Sequence, residues 1–566
     1  MKTQDFVVRF AGEGGQGVVT SAEALARMAA EVGYHVQTFA TFPSQIEGGP
    51  TWTQARIAIS PVLSPGDALD VLVALNRHAY EEHYPELRPG GVVMHDASFQ
   101  VEEQGHTLAM PFTELAKQAG EARSMNMVIL GALAHLISMP RQYLENFVRL
   151  RFKGRDAVIE GNLKAVALGF EHAASGEFRL GELALPQKPA YPQLLIRGND
   201  ALAVGAMAAG VDCYIGYPIS PATPVLVFME RNLIGPGKFA YQASSEIEAI
   251  SAVLGAGFAG KKAMSATSGP GLSLMSEGIG LAWMAEIPLV IVDVQRGGPA
   301  TGMPTKTEQS DFFLALTPAH GDSMMPIIAP GTVEECLFAI IHAFNWAERY
   351  QGPVIVLSEQ TLAERVQNIP KPDLSSIAVE GRNVYRGGNG YLRYDGWEMS
   401  PMPVPGGPGA YVANGSEHDP FGDTTHLPQR HVQMTERRFS KLKALEDGTY
   451  ERHHAEEPIA LMPWGASKGP ALEAYNTLSS RGVRLAWYYT MYLHPLPPKL
   501  LQELQKKELV LVPELNYTGQ FSSYLRSQGV RAESVRQYTG LPFKVRDLVR
   551  WVSERVEARG GRMVHA

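Results

Sequence analysis

A chain of 566 residues with a formal net charge of −8 should hold three or four domains, and it is too acidic to have nucleic acid or an anionic membrane as its main partner. Hydrophobic residues at 45% and charged residues at 19% describe well-packed globular protein, and no run of about 20 apolar residues exists to span a bilayer. Only two cysteines occur, Cys213 and Cys336, each alone, so the chain cannot supply the four thiolates of an iron–sulfur cluster or a structural zinc site. Both are expected as small buried hydrophobes, and a cluster, if the protein uses one, must sit on another chain. The opening MKTQDFVVRF enters a strand directly, with no charged leader ahead of an apolar core, which predicts a cytoplasmic protein.

Residues 5–20 read DFVVRFAGEGGQGVVT, an apolar strand followed by Gly12-x-Gly14-x-x-Gly17 at the head of a helix. This is the setting of a dinucleotide site. The next strand, HVQTFATF, nevertheless offers Thr38, Thr41 and Phe42, and no acid before Glu47 to hold ribose hydroxyls. Nicotinamide binding is therefore disfavoured, which leaves a tight turn that needs glycine, or a different phosphate or coenzyme end. Further strands and helices run to a charged helix ending near Ala174. Pro186, Pro189 and Pro192 then mark a linker over 184–193, closing a first domain at 1–183.

A second domain is expected over 194–370. Asn199 is placed to cap an alanine-rich helix. DCYIGY is a strand that runs into Tyr217-Pro218-Ile219-Ser220-Pro221. From Tyr241 the chain reads as a helix headed by Ser245-Glu246, a short strand ending at Thr267-Ser268, a Gly269-Pro270-Gly271 turn and a second helix. The strand PLVIVDV and the loop QRGGPATGMPTKTEQ, Gln295 to Gln309, follow. Strand, crossover helix, strand is the pattern of a parallel sheet, with the loops after each strand open to a ligand. Residues 381–430 hold ten glycines and six prolines without periodicity, so the segment 371–455 is read as an irregular connection. Glu417, His418, Asp419 and His426 could be drawn there as metal ligands, but their spacing favours a polar loop. From 456 to 566 three strands with their helices return, with turns at Trp464-Gly465-Ala466-Ser467 and Glu514 to Gln520.

These strings resemble the alpha subunit of the 2-oxoacid:ferredoxin oxidoreductases of the 2-oxoglutarate type, fused to a gamma domain. Ser245-Glu246, TSGPGLSLMSE from Thr267, QRGGPATGMPTKTEQ and YPISP carry the likeness in the centre. GEGGQG and QIEGGPTWTQARIA carry it in the first domain, with Ile46-Glu47 where many relatives have Met-Arg. The resemblance implies an α/β fold of three parallel-sheet domains: a gamma domain, a thiamine-diphosphate pyrimidine-binding domain and a transketolase C-terminal-like domain. It implies Glu246 as the acid–base group on the aminopyrimidine of thiamine diphosphate. Tyr217, Pro218, Ile219, Thr267, Ser268 and Gly269 are expected around that cofactor. Arg296, Ser220 and Lys306 are expected on the substrate, because a guanidinium makes paired bonds to a carboxylate. Coenzyme A as co-substrate is placed at Gly14, Gly15 and Gln16. Glu248, two residues beyond Glu246, should face elsewhere.

The chain has no Gly-Asp-Gly followed by Asn-Asn to bind a diphosphate and Mg2+. Mg2+ and a 4Fe–4S cluster are thus implied on a beta subunit, with ferredoxin as electron partner and a dimer of alpha–beta pairs as the assembly. The implied reaction is oxidative decarboxylation of 2-oxoglutarate to succinyl-CoA. Rival readings are the same chemistry on pyruvate or branched or aryl 2-oxoacids, and a non-catalytic coenzyme-A-binding or assembly subunit.

Overall fold

The computed structural model describes residues 2–42, 48–101, 105–120, 122–176, 178–187, 189, 191–388, 390–396 and 399–559. Backbone contacts divide the chain into two compact units, 1–196 with 365–371, and 197–364 with 372–566.

The first unit is built on an eight-stranded sheet in the order 106–110, 87–96, 69–74, 5–13, 50–58, 35–41, 366–370, 193–197. Strand β1 (Asp5–Glu13) sits at its middle and is buried through Phe6, Val8 and Phe10. The sheet is mixed. From β1 outward to His106–Met110 all pairs are parallel, whereas β1 pairs antiparallel with Pro50–Ala58, and that strand antiparallel with His35–Thr41. Helix α1 (Val18–Val32) follows β1 and buries Val18, Ala22, Leu25 and Met28 at helical spacing. The helices Met125–Leu136 and Asp156–Ala174 cross very closely. A Cβ on Gly131 or Gly169 would strike the backbone of Val166 or Val128, so glycine is required at both.

The second unit holds two sheets. Its seven-stranded sheet runs 239–242, 213–216, 263–267, 289–295, 353–359, 327–328, 492–494. All pairs are parallel except the last, where Tyr492–His494 from the C-terminal third runs antiparallel to Ile327–Ile328. The other sheet has five strands, parallel apart from Glu451–His453 at one edge. The central parallel strands Leu289–Gln295, Pro353–Glu359 and Leu509–Glu514 are buried along their whole length, as expected for sheets covered on both faces. Cys213 and Cys336 are buried in this unit as free thiols.

Asn199 does not cap its helix. The cap position belongs to Arg197, and Asn199 lies in the first turn, fully buried, where its Nδ2 donates to Pro221 O at 2.9 Å. The amide thus ties the helix to the YPISP turn. The segment 381–430 is irregular but firmly anchored. Arg393, Arg437 and Lys441 converge on the buried Glu286, with Arg437 Nε at 2.9 Å and Lys441 Nζ at 2.9 Å from its carboxylate. Burial works against that charge, yet Lys441, Arg437 and Arg393 outweigh it and hold Glu286 well below the usual carboxylate range. Glu417 is engaged by Arg438 and His431, and His418 packs on Tyr394. Among the described residues no group of three or more His, Cys, Asp or Glu side chains is placed to hold a metal ion.

Candidate active site

Helix α2 (Glu246–Phe258) is opened by Ser245, whose Oγ accepts from Glu248 N at 3.2 Å. The two glutamates in its first turn then part. Glu248 turns outward, where its carboxylate accepts from Ser244 Oγ at 2.5 Å, Ser244 N at 2.6 Å and Tyr241 OH at 2.9 Å, and these bonds lower its pKa. Glu246 turns inward and is 6% exposed. Its carboxylate makes no hydrogen bond or ion pair among the described residues. Neither oxygen is sealed from solvent, so the carboxylate can meet a ligand.

Strand β2 (Ala263–Thr267) ends beside it. Thr267 and Ser268 are buried, and the chain turns through Gly269-Pro270-Gly271 into the short helix α3 (Gly269–Leu274). A Cβ on Gly271 would overlap Thr267 Oγ1 and come within 2.8 Å of Glu246 Oε1. The turn therefore lets the Glu246 carboxylate and the Thr267 hydroxyl close in on its backbone, with no room for a side chain. A carboxylate with nothing to bond, beside that turn, suits the aminopyrimidine of thiamine diphosphate.

Strand β3 (Leu289–Gln295) delivers Arg296, which is 7% exposed. Its Nη1 donates to Ser220 O at 2.7 Å and its Nη2 to Thr301 O at 3.3 Å, while Nε is buried without a partner. Arg296 and Ser220 are therefore brought together, as the sequence suggested, although the observed link runs through the Ser220 carbonyl. Ser220 and Tyr217 are exposed, and Pro218 and Ile219 half-buried. The loop after Arg296 folds back on itself through Met303 N to Gly297 O at 2.8 Å and Gly297 N to Lys306 O at 3.0 Å. Gly302, at φ 53°, packs so closely on Gly297 that no side chain fits there. Lys306 is half-buried at the foot of the loop.

The end of that loop is gripped by the C-terminal third. Gln309, fully buried, donates from Nε2 to Glu359 Oε1 at 2.8 Å and to Trp464 O at 2.9 Å, and accepts at Oε1 from Leu515 N at 2.9 Å. Its backbone bonds Leu515 O and Asn516 Nδ2. The turns at Trp464 and Glu514, legible as motifs, thus meet on a single glutamine. Gln309 had not been singled out as a site residue, nor had Gly271, Asp293 or Asp311. An aspartate inside the apolar run PLVIVDV was the available signal for Asp293.

In the first unit Gly14 and Gly15 are exposed and Gln16 half-buried. Gln16 Oε1 accepts from Glu13 N at 2.8 Å, and Gly14 N donates to Gly49 O at 3.1 Å. Gly15 has φ 91° and open space where a Cβ would stand, and Gly17, in the left-handed region, begins α1. The loop presents backbone to solvent at a helix N-terminus, the arrangement that receives anions. Glu47 and Ile46 lie outside the described residues.

Strand–crossover–strand topology and an unpaired carboxylate beside a glycine turn fit the pyrimidine half of a thiamine-diphosphate site, and comparisons with known proteins give the family. Residues 204–437 match the family described as pyruvate flavodoxin/ferredoxin oxidoreductase, thiamine diP-binding, and residues 7–172 match pyruvate ferredoxin/flavodoxin oxidoreductase. The 2-oxoglutarate oxidoreductase subunit KorA of Mycobacterium tuberculosis is 30% identical over 99% of this chain and 92% of its own length. A 2-oxoglutarate synthase subunit KorA of Methanocaldococcus jannaschii is 35% identical over 57% of this chain and 88% of its own length. A solved 2-oxoglutarate:ferredoxin oxidoreductase from Magnetococcus marinus, with 2-oxoglutarate, coenzyme A and succinyl-CoA bound, superposes with a TM-score of 0.92 at 36% identity, covering 98% of this chain and all of the other. The chain belongs to the 2-oxoacid:ferredoxin oxidoreductase family.

Proposed function

We propose that this chain is the catalytic alpha subunit, with a fused gamma domain, of an oxidoreductase that converts 2-oxoglutarate, coenzyme A and oxidised ferredoxin to succinyl-CoA, carbon dioxide and reduced ferredoxin. The observation that carries the reading is the Glu246 carboxylate, turned inward and without a hydrogen bond or ion pair among the described residues, beside Thr267 and the turn at Gly271. The full-length likeness to an enzyme solved with 2-oxoglutarate and succinyl-CoA supports the choice of substrate.

Thiamine diphosphate, when bound, supplies a thiazolium carbon able to add to the oxoacid ketone and to take up the electron pair left by departing carbon dioxide. Glu246 exchanges a proton with the aminopyrimidine, the work of a positioned acid–base group. Thr267, Ser268 and Gly269, with Tyr217, Pro218 and Ile219, border the ring. The Arg296 guanidinium takes the oxoacid carboxylate in paired, charge-assisted bonds, with Ser220 beside it and Lys306 towards a second carboxylate. Gly14, Gly15 and Gln16 bind part of coenzyme A. A beta subunit supplies the diphosphate site with Mg2+ and the 4Fe–4S cluster, and two alpha–beta pairs assemble in the cytoplasm; no helix among the described residues is long and apolar enough to cross a membrane. The domains are a gamma domain over 1–183, a linker over 184–193, a pyrimidine-binding domain over 194–370, a connecting segment over 371–455 and a transketolase C-terminal-like domain over 456–566.

Co-purification with the beta subunit tests this. The complex should be brown, carry thiamine diphosphate and reduce a viologen dye with 2-oxoglutarate and coenzyme A in preference to pyruvate or branched and aryl 2-oxoacids, while the chain alone should be colourless and inactive. Preference for another oxoacid would overturn the substrate, and stoichiometric iron on the isolated chain would overturn the division of labour.

A further inference from the structure

The loop that carries Arg296 and Lys306 is exposed at its tip and locked at its root. Residues 298–303 are exposed, whereas Thr307 and Gln309 are buried. Gln295, the last residue of β3 and fully buried, closes the neck. Its Nε2 donates to Ser358 O at 3.2 Å, and its Oε1 accepts from Asp311 N at 3.1 Å. Within the loop, Gly297 N donates to Lys306 O at 3.0 Å and Lys306 N to Met303 O at 3.1 Å. The backbones next to Arg296 and at Lys306 thus run side by side.

The root is held from outside by turns of the C-terminal third. The five bonds of Gln309 to Glu359, Trp464, Leu515 and Asn516 use its side chain and both of its backbone groups. Gln520 grips the residues on either side of Asp311, donating from Nε2 to Ser310 O at 2.7 Å and accepting at Oε1 from Phe313 N at 3.0 Å. Thr307 N donates to Gly540 O at 3.1 Å, and Gly540 packs so closely on the stem of Lys306 that a Cβ there would stand 2.9 Å from Lys306 Cβ. Gln295 and Gln309 both end on the strand Pro353–Glu359, at Ser358 O and Glu359 Oε1, so one strand anchors the two ends of the loop.

We propose that Gln309 is a positioning residue for substrate selection: by fixing the loop root to the C-terminal third it holds Lys306 in place relative to Arg296, and so favours a dicarboxylic over a monocarboxylic 2-oxoacid. The proposal rests on the roles given to Arg296 and Lys306 above. Every 2-oxoacid carries a carboxylate beside its ketone, and a dicarboxylic one carries a second at the far end of a short chain. Two cations on one loop match that separation while the loop keeps its shape. An exposed tip closed by a few backbone bonds opens readily. A buried amide that uses both donors and an acceptor, with its backbone also bonded, removes that freedom.

The test uses the complex with its beta subunit, in wild type, in Gln309→Ala and in the milder Gln520→Ala. Hydrogen–deuterium exchange read by mass spectrometry should be faster over residues 297–307 in both variants, more so in Gln309→Ala, with β3 unchanged. The substrates compared are 2-oxoglutarate and 2-oxopentanoate, the same chain without the second carboxylate. In Gln309→Ala, kcat/KM for 2-oxoglutarate should fall by up to about 100-fold, the penalty of a small misplacement far from the reacting atoms. The fall for 2-oxopentanoate should be smaller, so the preference between the two narrows. Proton exchange at the thiazolium carbon, the work of Glu246, should keep its wild-type rate. An equal fall for both acids overturns the proposal and leaves Gln309 a structural brace. Loop exchange unchanged in the variants overturns it too, and Gln520→Ala decides this if Gln309→Ala does not fold. A wild-type complex that does not prefer 2-oxoglutarate to 2-oxopentanoate overturns instead the substrate reading, and the selectivity with it, while faster loop exchange in the variants would still assign Gln309 the placing of the loop.

Discussion

Two glycine-rich turns join a strand to a helix in this protein, and they use glycine for opposite reasons. At Gly14 and Gly15 the residue type opens a surface: Gly15 has a left-handed backbone and nothing within 4 Å of where a Cβ would be. At Gly269 and Gly271 it permits crowding, with Asp311, Thr267 and Glu246 filling the space a side chain would take. The first turn exposes its backbone at Gly15, whereas the second lets side chains from three segments converge. An open backbone loop should therefore tolerate change with a local penalty, and a crowded turn should transmit it to every group it touches.

Among the changes that test this contrast, the largest kinetic effect is expected at Arg296. Arg296→Lys replaces a fork by a point charge in a largely desolvated place. It should cost about 2–5 kcal/mol, or roughly 30- to several-thousand-fold in kcat/KM for the oxoacid. Coenzyme A kinetics and melting temperature should stay near wild type. A joint loss of all three would instead make Arg296 a brace for the Gly297-Gly298 loop. Next in size, Gly271→Ala forces a methyl between Thr267 and Glu246, an overpacking of about 1–3 kcal/mol. It should raise the apparent Kd for thiamine diphosphate, measured by cofactor-dependent recovery of activity, and a variant that binds the cofactor normally would break the contrast between the two turns. The smallest effect is expected in the open loop. Gly15→Ala strains a residue at φ 91° but meets no neighbour, so about 1 kcal/mol of stability is lost. Its kinetic effect should be confined to the KM for coenzyme A, and equal damage to oxoacid kinetics would contradict the separation of roles.

The same contrast explains what the sequence made legible. Gly12, Gly14 and Gly17 announce an open loop because the signal is local: an apolar strand, spaced glycines, then a helix. Strands are legible where β-branched residues cluster, and long motifs point to Glu246 and Arg296. Pairings between distant segments left no local trace. Nothing in Val366–Pro370 says that it joins the first unit's sheet, and nothing in Tyr492–His494 says that it completes the sheet carrying Arg296. Asn199 misled because an Asn ahead of an alanine-rich run fits a cap, yet tertiary contact with Pro221 decided its place. Gln309 reads as an ordinary polar loop residue, and only the fold shows it gripping the turns at Trp464 and Leu515.

Glu246 is the centre of the account, and it can be tested apart from the rest of the reaction. The proton on the thiazolium carbon of bound thiamine diphosphate exchanges with deuterium, and quench NMR of the complex with its beta subunit measures the rate. Glu246→Ala should retain the cofactor and the fold while exchange slows by about a hundred- to ten-thousand-fold. Glu248→Ala, changed two residues away on the outer face of the same helix, is the control and should exchange at the wild-type rate. Wild-type exchange in Glu246→Ala with the cofactor in place would contradict the account.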